Sequence, residues 1–499
     1  MLFMPPFSDF LNLHIYLLFK NNFLFNFVQW FSMFFSIILV SLIVRELGGS
    51  LKAQLLSSLF LVTLPMGILQ STSTQTDYVI SFWFLSFLYF LLKYKNNADL
   101  KNLSYLSISL GIGILSKQTM YFFSLPFIIF FSLYFIIRKN SIKKSFFHFI
   151  ISFFILVIIN IGHFKRTYDL YGNFTAFHET NISAVNESFN PKYLTSNIIR
   201  NFALNLTLPN KNYNQILRNS LKDIHNSLNI SLTDQKNTYK KDFYIYFNTY
   251  ESHAPNTLHF LIIIILFILA YFNKIYSKEI KIYIFGLILG FIIFSFTMKW
   301  QPTGNRFLLP FFAASSVLYG FFVLNLKNKK IQTTSILLFL VWSIPYLLTN
   351  KTRPLITYTT KDINGINLSL KPFLKTLENP LYFYSYYHES HKIDTYKEIS
   401  NLIFRSNCKY IGITRAAAEY EYPLRKFIMD KYKGDNIKIT YPFVRNLSKV
   451  LDEVNYEKLC AIVELSCNDI NINCTSIKNH YISTKLKKII FENGIILYI

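Results

Sequence analysis

Ten mostly apolar stretches, each close to the ~20 residues a helix needs to cross the hydrocarbon of a bilayer, constrain this chain more than any other feature. They are Phe27–Arg45, Ala53–Gln70, Asp77–Leu92, Leu103–Ser116, Gln118–Ile137, Ser145–Gly162, Thr257–Phe272, Lys281–Met298, Arg306–Asn325 and Ile331–Leu348. Leu103–Ser116 is short, and reads either as a span of its own or as part of one broken element with its neighbour around Lys117. The stretches are continuously apolar and do not alternate with period two, which argues against strands of a lipid-facing barrel. Composition agrees: apolar residues make up 52% and charged residues 16%, where a soluble protein carries roughly 25% charged. So much apolar surface excludes a disordered chain, and 15 Gly with 4 Cys exclude collagen-like and disulfide-scaffold classes. The expected fold class is an all-α polytopic membrane bundle, with about ten transmembrane helices and an extracytoplasmic C-terminal α/β domain.

The chain carries 51 Lys plus Arg against 27 Asp plus Glu, a formal charge of +24. Its joint richness in Phe, Ile, Lys, Asn and Tyr points to a low-GC coding bias behind much of that charge. A basic balance also suits anionic membrane lipids. Nucleic acid is not an expected partner, because the lysines sit between apolar spans and not on a soluble module with base-stacking aromatics. Lys and Arg gather in alternate connections, at Arg45–Lys52, Lys93–Lys101, Arg138–Lys144, Lys274–Lys281 and Lys327–Lys330. The opposite short connections hold only Lys117, Lys299 and Arg306. This bias puts the first set in the cytoplasm, and parity places the N-terminus, the long Gly162–Thr257 connection and everything after Leu348 outside a multi-pass inner-membrane protein. Residues 1–26 would then lie outside with no earlier helix to carry them across. Asp9 and His14 interrupt any signal-peptide pattern, so an upstream helix and loop are expected to precede this sequence.

The expected divisions are residues 1–26, a remnant of a first outer loop; 27–162 and 257–348, two parts of the bundle; 163–256, an outer loop region; and 349–499, the outer domain. The connection His163–Pro255 is too long for a plain loop and is expected to fold on the membrane surface. In Lys351–Ile499, strand-like Lys409–Thr414, Ile437–Tyr441, Ala461–Leu465 and Ile495–Ile499 alternate with a helical Asp394–Ser406 and a helix after Tyr422-Pro423. Cys408, Cys460, Cys467 and Cys474 all lie here. Their spacing is not zinc-like; one or two disulfides and free buried thiols both fit.

Charged residues at the outer ends of the spans are costly near hydrocarbon unless they face a cavity or the interface. Asp77, Lys117, Arg166, Glu251 and Arg306 stand out, with Asp9 on the same face. Each has a plainer reading. Asp77 serves equally well as a helix cap, Lys117, Arg166 and Arg306 as cations reaching lipid phosphates, Asp9 as a loop residue, and His163, His253 and His259 as ordinary interfacial imidazoles. Their convergence on one face, beside two large outer segments, favours a site. Cations there could hold a lipid-linked phosphate while a carboxylate takes a proton from an incoming hydroxyl, which is the chemistry of sugar transfer from a polyprenyl-phosphate donor.

Several motifs fall in an order that resembles a known family. They include Pro5-Pro-Phe-Ser-Asp-Phe-Leu-Asn-Leu-His14, Val40–Gly48, Leu64-Pro65 through Thr76-Asp77, and Gly113–Lys117. His163–Arg166 with Tyr171-Gly172, Glu251 with Asn256 and His259, Trp300-Gln-Pro with Asn305-Arg306, and Asn350–Leu355 follow. Nearly the whole chain thus resembles the bacterial family 39 type glycosyltransferases of the GT-C superfamily.

The resemblance implies a multi-helix bundle acting on a polyprenyl-phosphate sugar with inversion at the anomeric carbon. The acceptor would be a lipid, glycan or protein. In similar proteins the catalytic aspartate lies upstream of the Pro-Pro stretch, closely followed by Tyr-His, and this chain begins at that stretch. Asp9 and Asp77 are the carboxylates expected to orient donor or acceptor; Lys117, Arg166 and Arg306 to contact the donor phosphate; Glu251 and His259 to line the outer mouth. No metal ligands are assigned and no cofactor is required, though a divalent metal stays open. Where similar proteins read His-Glu-Asp this chain has Tyr250-Glu251-Ser252, which weakens a metal site there. Two other classes compete: a flippase for lipid-linked saccharides, which would carry charges deep in several helices and often internal repeats, and a non-catalytic assembly subunit.

Overall fold

A computed structural model describes the chain except residues 1–3, 21, 139–141, 175–183, 240–242, 273–275, 327, 362–364, 370–390, 415–420, 433–435, 445–449, 451–453, 466–485 and 492–493. It divides into two compact units, Met1–Asn350 and Lys351–Ile499.

Where water is excluded, each backbone group must find its partner within its own segment, and apolar sequence therefore becomes helix. The first unit runs α1 (Phe7–Phe19), α2 (Phe27–Glu46), α3 (Leu51–Val62), α4 (Pro65–Ser71), α5 (Asp77–Asn96), α6 (Leu100–Ser116), α7 (Thr119–Arg138) and α8 (Ile142–Tyr171). It continues with α9 (Pro191–Leu204), α10 (Lys211–Ser227), α11 (Thr257–Phe272), α12 (Lys278–Thr297), α13 (Gly304–Phe307), α14 (Leu309–Ser315), α15 (Val317–Asn325) and α16 (Lys329–Leu348). Polar caps set several starts. Ser50 accepts from the Ala53 N–H at 3.3 Å, Asp99 from Asn102 at 2.7 Å and Ser277 from Ile280 at 3.3 Å, each satisfying a first-turn donor that the helix leaves unpaired.

Among the described residues, five helices are long and apolar enough to cross a bilayer, and six if the bent pair α3–α4 is one span. α1, α11 and Leu309–Asn325 are apolar but shorter. The ten expected spans are therefore not all unbroken helices of membrane length. Ala53–Gln70 is bent by 70° between α3 and α4, because Pro65 lacks an N–H and pushes Leu64 into an extended conformation. The break is closed by polar groups: Thr63 Oγ1 donates back to Leu59 O, and the Met66 N–H donates to Asn256 Oδ1 at 2.9 Å. Arg306–Asn325 is likewise divided into three helices, with Pro310 in the first turn of α14. The helix expected to end at Gly162 runs on to Tyr171, so His163 and Arg166 stand on α8 and not in a loop. α6 and α7 are separate helices, with Lys117 extended between them.

Small residues allow close approach where the backbones nearly touch. A Cβ on Gly320 would lie 2.0 Å from Ala53 O, and Ser57 bridges the same contact by donating to Val317 O at 2.9 Å and accepting from the Gly320 N–H at 3.0 Å. The charged ends sort as the Lys and Arg distribution requires. Lys93 meets Glu46 at 3.6 Å and Lys95 meets Glu279 at 3.2 Å, which gathers the C-terminal ends of α2 and α5 with the N-terminus of α12. α6 and α8 run parallel: Ser107 Oγ donates to Ser152 Oγ at 2.9 Å, and farther along Asn160 Nδ2 donates to Gly111 O at 3.1 Å.

In the second unit β1 (Thr357–Lys361) and β2 (Gly365–Ser369) form an antiparallel pair that the sequence reading did not anticipate. β3 (Tyr410–Thr414) lies parallel to β4 (Lys438–Thr440) and β5 (Ala461–Glu464), while β7 (Ile496–Tyr498) is antiparallel to β5 and β6 (Lys488–Ile490). The sheet order is β4-β3-β5-β7-β6. Helices His391–Arg405 and Tyr422–Lys431 accompany it, burying Ile399, Ile403, Leu424 and Ile428 with Ile411, Val463 and Leu497. Cys408 and Cys460 are joined by a disulfide; Cys467 and Cys474 lie outside the described residues.

Candidate functional site

The site begins with a buried amide on α2. Gln29, fully buried, accepts through Oε1 from the Tyr78 N–H at 2.7 Å and the Val79 N–H at 3.3 Å. Its Nε2 donates to Gln70 Oε1 at 3.3 Å and Ser73 Oγ at 3.2 Å. A neighbouring helix thus serves the first turn of α5. Asp77, whose side chain is 1% exposed, is released from capping, and its Oδ1 receives the Lys117 ammonium.

Arg306 joins through Gln75, whose Oε1 accepts from Arg306 Nη1. The Gln75 Nε2 donates to Glu251 Oε1 and to Ser252 Oγ, both at 3.3 Å. Phe307 lies against both cations, its ring centroid 4.4 Å from Lys117 Nζ and 4.8 Å from Arg306 Cζ, a geometry in which the ring quadrupole attracts each charge. Two cations, two carboxylates and a bridging amide therefore meet at the end of the unit opposite the Lys93 and Lys95 pairs. Among the described residues, the buried Asp77 Oδ2 and Arg306 Nε make no hydrogen bond, which leaves each the capacity to bind a further group.

The long connection positions Arg306. Asn305, beside it, donates to Leu204 O at 3.3 Å and Ala254 O at 3.1 Å and accepts from Asn205 Nδ2 at 2.7 Å. Asn205 Oδ1 in turn accepts from the Asn256 N–H at 3.1 Å. α9 carries Leu204 and is itself anchored by Arg200. That buried guanidinium donates to Leu232 O at 3.0 Å, Thr238 Oγ1 at 2.7 Å, Asn197 Oδ1 at 2.5 Å and Asn237 O at 3.1 Å, with the Trp300 ring 5.3 Å away. Near the cluster, burial and the Arg306 charge pull the His253 imidazole down to about 4, which keeps it neutral at pH 7.

Of the residues singled out in the sequence, Asp77, Lys117, Glu251 and Arg306 are brought together. Arg166 bonds His163 Nδ1 at 3.1 Å. The parallel run of α6 and α8 places it at the same end as Lys117, and no bond links it to the cluster among the described residues. Asp9 is exposed in the first turn of α1, close to where Phe7 meets Trp83 of α5 at 6.0 Å. His259 corrects an expectation, because it does not line an outer mouth. It is fully buried, 4.6 Å from the rings of both Phe60 and Phe339, and its Nε2 meets Thr63 Oγ1 at 3.2 Å, so it braces the α3–α4 bend. Gln29, Gln75 and Phe307 were missed. A glutamine inside an otherwise apolar run was the available signal for Gln29. Among the described residues no three His, Cys, Asp or Glu side chains group as a metal site.

Residues 4–162 match the family described as dolichyl-phosphate-mannose-protein mannosyltransferase. Two solved structures share the fold. ArnT from Cupriavidus metallidurans bound to undecaprenyl phosphate aligns with a TM-score of 0.55 and 11% identity, over 100% of this chain and 88% of that one. The same protein in the apo state aligns with a TM-score of 0.56 and 11% identity, over 99% and 87%. No curated protein matches in sequence. The polytopic membrane fold and the GT-C resemblance read from the sequence agree with these findings.

Proposed function

From a chain whose first third matches a mannosyltransferase family and whose fold is that of ArnT, we propose an integral membrane glycosyltransferase of GT-C type. It moves a sugar from a polyprenyl-phosphate donor to a hydroxyl on a lipid, glycan or protein at the outer face of the inner membrane. The observation that carries this reading is the pair of cations on one ring, Lys117 and Arg306 at Phe307, beside the buried Asp77 with one oxygen unengaged. The undecaprenyl phosphate bound by ArnT supports a donor of the same kind.

Lys117 and Arg306 hold the donor phosphate, with Arg166 as a third cation at that end. The acceptor hydroxyl gives its proton to a carboxylate as its oxygen bonds to the anomeric carbon. The bond from that carbon to the phosphate oxygen breaks, and the prenyl phosphate departs with negative charge that the cations stabilise. Asp77 Oδ2 orients the incoming hydroxyl, and Asp9 is the second carboxylate assigned to this role. Gln75, held between Arg306 and Glu251, fixes the guanidinium plane, and positioning of this kind lowers the barrier without taking part in bond making.

The test supplies membranes holding the full chain with a labelled polyprenyl-phosphate sugar. Arg306→Ala should lower transfer by about 100-fold or more, the scale on which a lost anion-stabilising donor acts, while insertion is unchanged. Full activity would remove the phosphate-holding role. Translocation of the donor without product would make the protein a flippase, and neither activity a non-catalytic subunit.

A further inference from the structure

α10 and the chain that folds back over it form an open groove of about 730 Å³ that the transfer site does not use. We propose that this groove binds an anionic saccharide; on the transferase reading, from which this assignment follows, the saccharide is the glycan portion of the acceptor. Arg218 and Lys222 stand one turn apart on the lining face of α10, and among the described residues no carboxylate lines the groove. Like charges at that spacing repel along a helix, and among the described residues neither cation has an ion-pair partner. A wall that concentrates two positive charges without compensation selects an anion.

The remaining lining selects a sugar over a bare anion. Gln215, Asn219 and Asn226 on α10 face a second wall carrying Ser231 and Thr233. Each of these groups donates and accepts, which matches hydroxyls that do both. Phe243, buried and packed 4.7 Å from the Trp300 ring, supplies an apolar surface for the C–H face of a sugar ring. The walls are held in place. His225 is engaged at both ring nitrogens, by Leu221 O and Ser196 Oγ, each at 2.8 Å, and Asn229 turns the chain back in the left-handed region at φ 54°. The volume falls within the range of pockets that enclose whole small molecules, more than a lone phosphate needs. The same body reaches the cation cluster through Asn205 and Asn305, the neighbour of Arg306.

Binding is measured on the full chain in detergent, without donor, by calorimetry with mannose 6-phosphate, galacturonate, mannose and inorganic phosphate. The expected result is that one or both charged sugars bind at least tenfold more tightly than mannose or phosphate. The double variant Arg218→Gln/Lys222→Gln should lose at least tenfold, Arg218→Lys/Lys222→Arg should retain binding, and Lys211→Gln, outside the groove, should match the parent. Equal binding of inorganic phosphate, unchanged binding in the glutamine variant, or no binding of either charged sugar would overturn the assignment. Because the assay needs neither donor nor turnover, its failure is separate from that of the transferase reading.

Discussion

At one end of the helical unit each ion pair keeps one partner well exposed; at the other both partners are mostly enclosed. The side chains of the Lys93–Glu46 pair are 40% and 13% exposed and those of the Lys95–Glu279 pair 20% and 48%, whereas in the Lys117–Asp77 pair the values are 17% and 1%. Exposed pairs contribute little to stability because water screens them, and what the first end records is orientation. An enclosed pair is costly to maintain and costly to break, so its presence calls for a use. The same residue types thus report topology at one end and chemistry at the other, and burial separates the two.

The sharpest way to break this contrast is to neutralise one lysine at each end. Lys117→Met should reduce transfer by about 100-fold or more, whereas Lys95→Met should leave it within about twofold; equal effects in the labelled-donor assay would erase the distinction. Next in size is Arg200→Met, which strips five protein acceptors of a donor at once, Ser196 O at 3.4 Å included. It should cost at least about 3 kcal/mol for the buried acceptors left unpaired, seen as protease sensitivity of residues 184–256 in detergent. Gln29→Leu should be milder, about 1–3 kcal/mol for leaving first-turn donors of α5 buried and unpaired, and should lower transfer while Ser104→Ala, at a half-buried position of α6, does neither. Smallest is a pH effect. His253 is held near 4 in the fold against 6.5 unfolded, so its contribution to stability is whole above 6.5 and is lost as pH falls from 6.5 towards 4. Thermal unfolding of His253→Gln should show a shallower acid limb than the parent.

Most helix locations, the strands of the sheet in the second unit, and the grouping of Asp77, Lys117, Glu251 and Arg306 were legible in the sequence, because apolar length and the cost of charge near hydrocarbon are strong local signals. What was not legible depends on partners distant in sequence. Pro65 marked a break, but the 70° turn required Asn256 to complete it. His259 looked interfacial because it opens an apolar run, and only the packing of Phe60 and Phe339 encloses it. Gln75 sat in a run of hydroxyl residues that reads as a loop, and nothing local shows that its amide would join Arg306 to Glu251. The groove on α10 was hidden for a similar reason: an Asn-rich helix looks like solvated surface until the chain folds back over it.

Gln29 also bears on how the protein is made. The second helix enters the lipid carrying an amide, and the backbone donors it will serve lie 49 and 50 residues downstream. At ribosomal rates that interval is roughly several seconds, during which the polar group must stay near the headgroups or borrow another partner. Arrival of the fifth helix ends the wait, so pairing of these two segments is a natural early checkpoint in biogenesis, reached before most of the remaining chain has been translated.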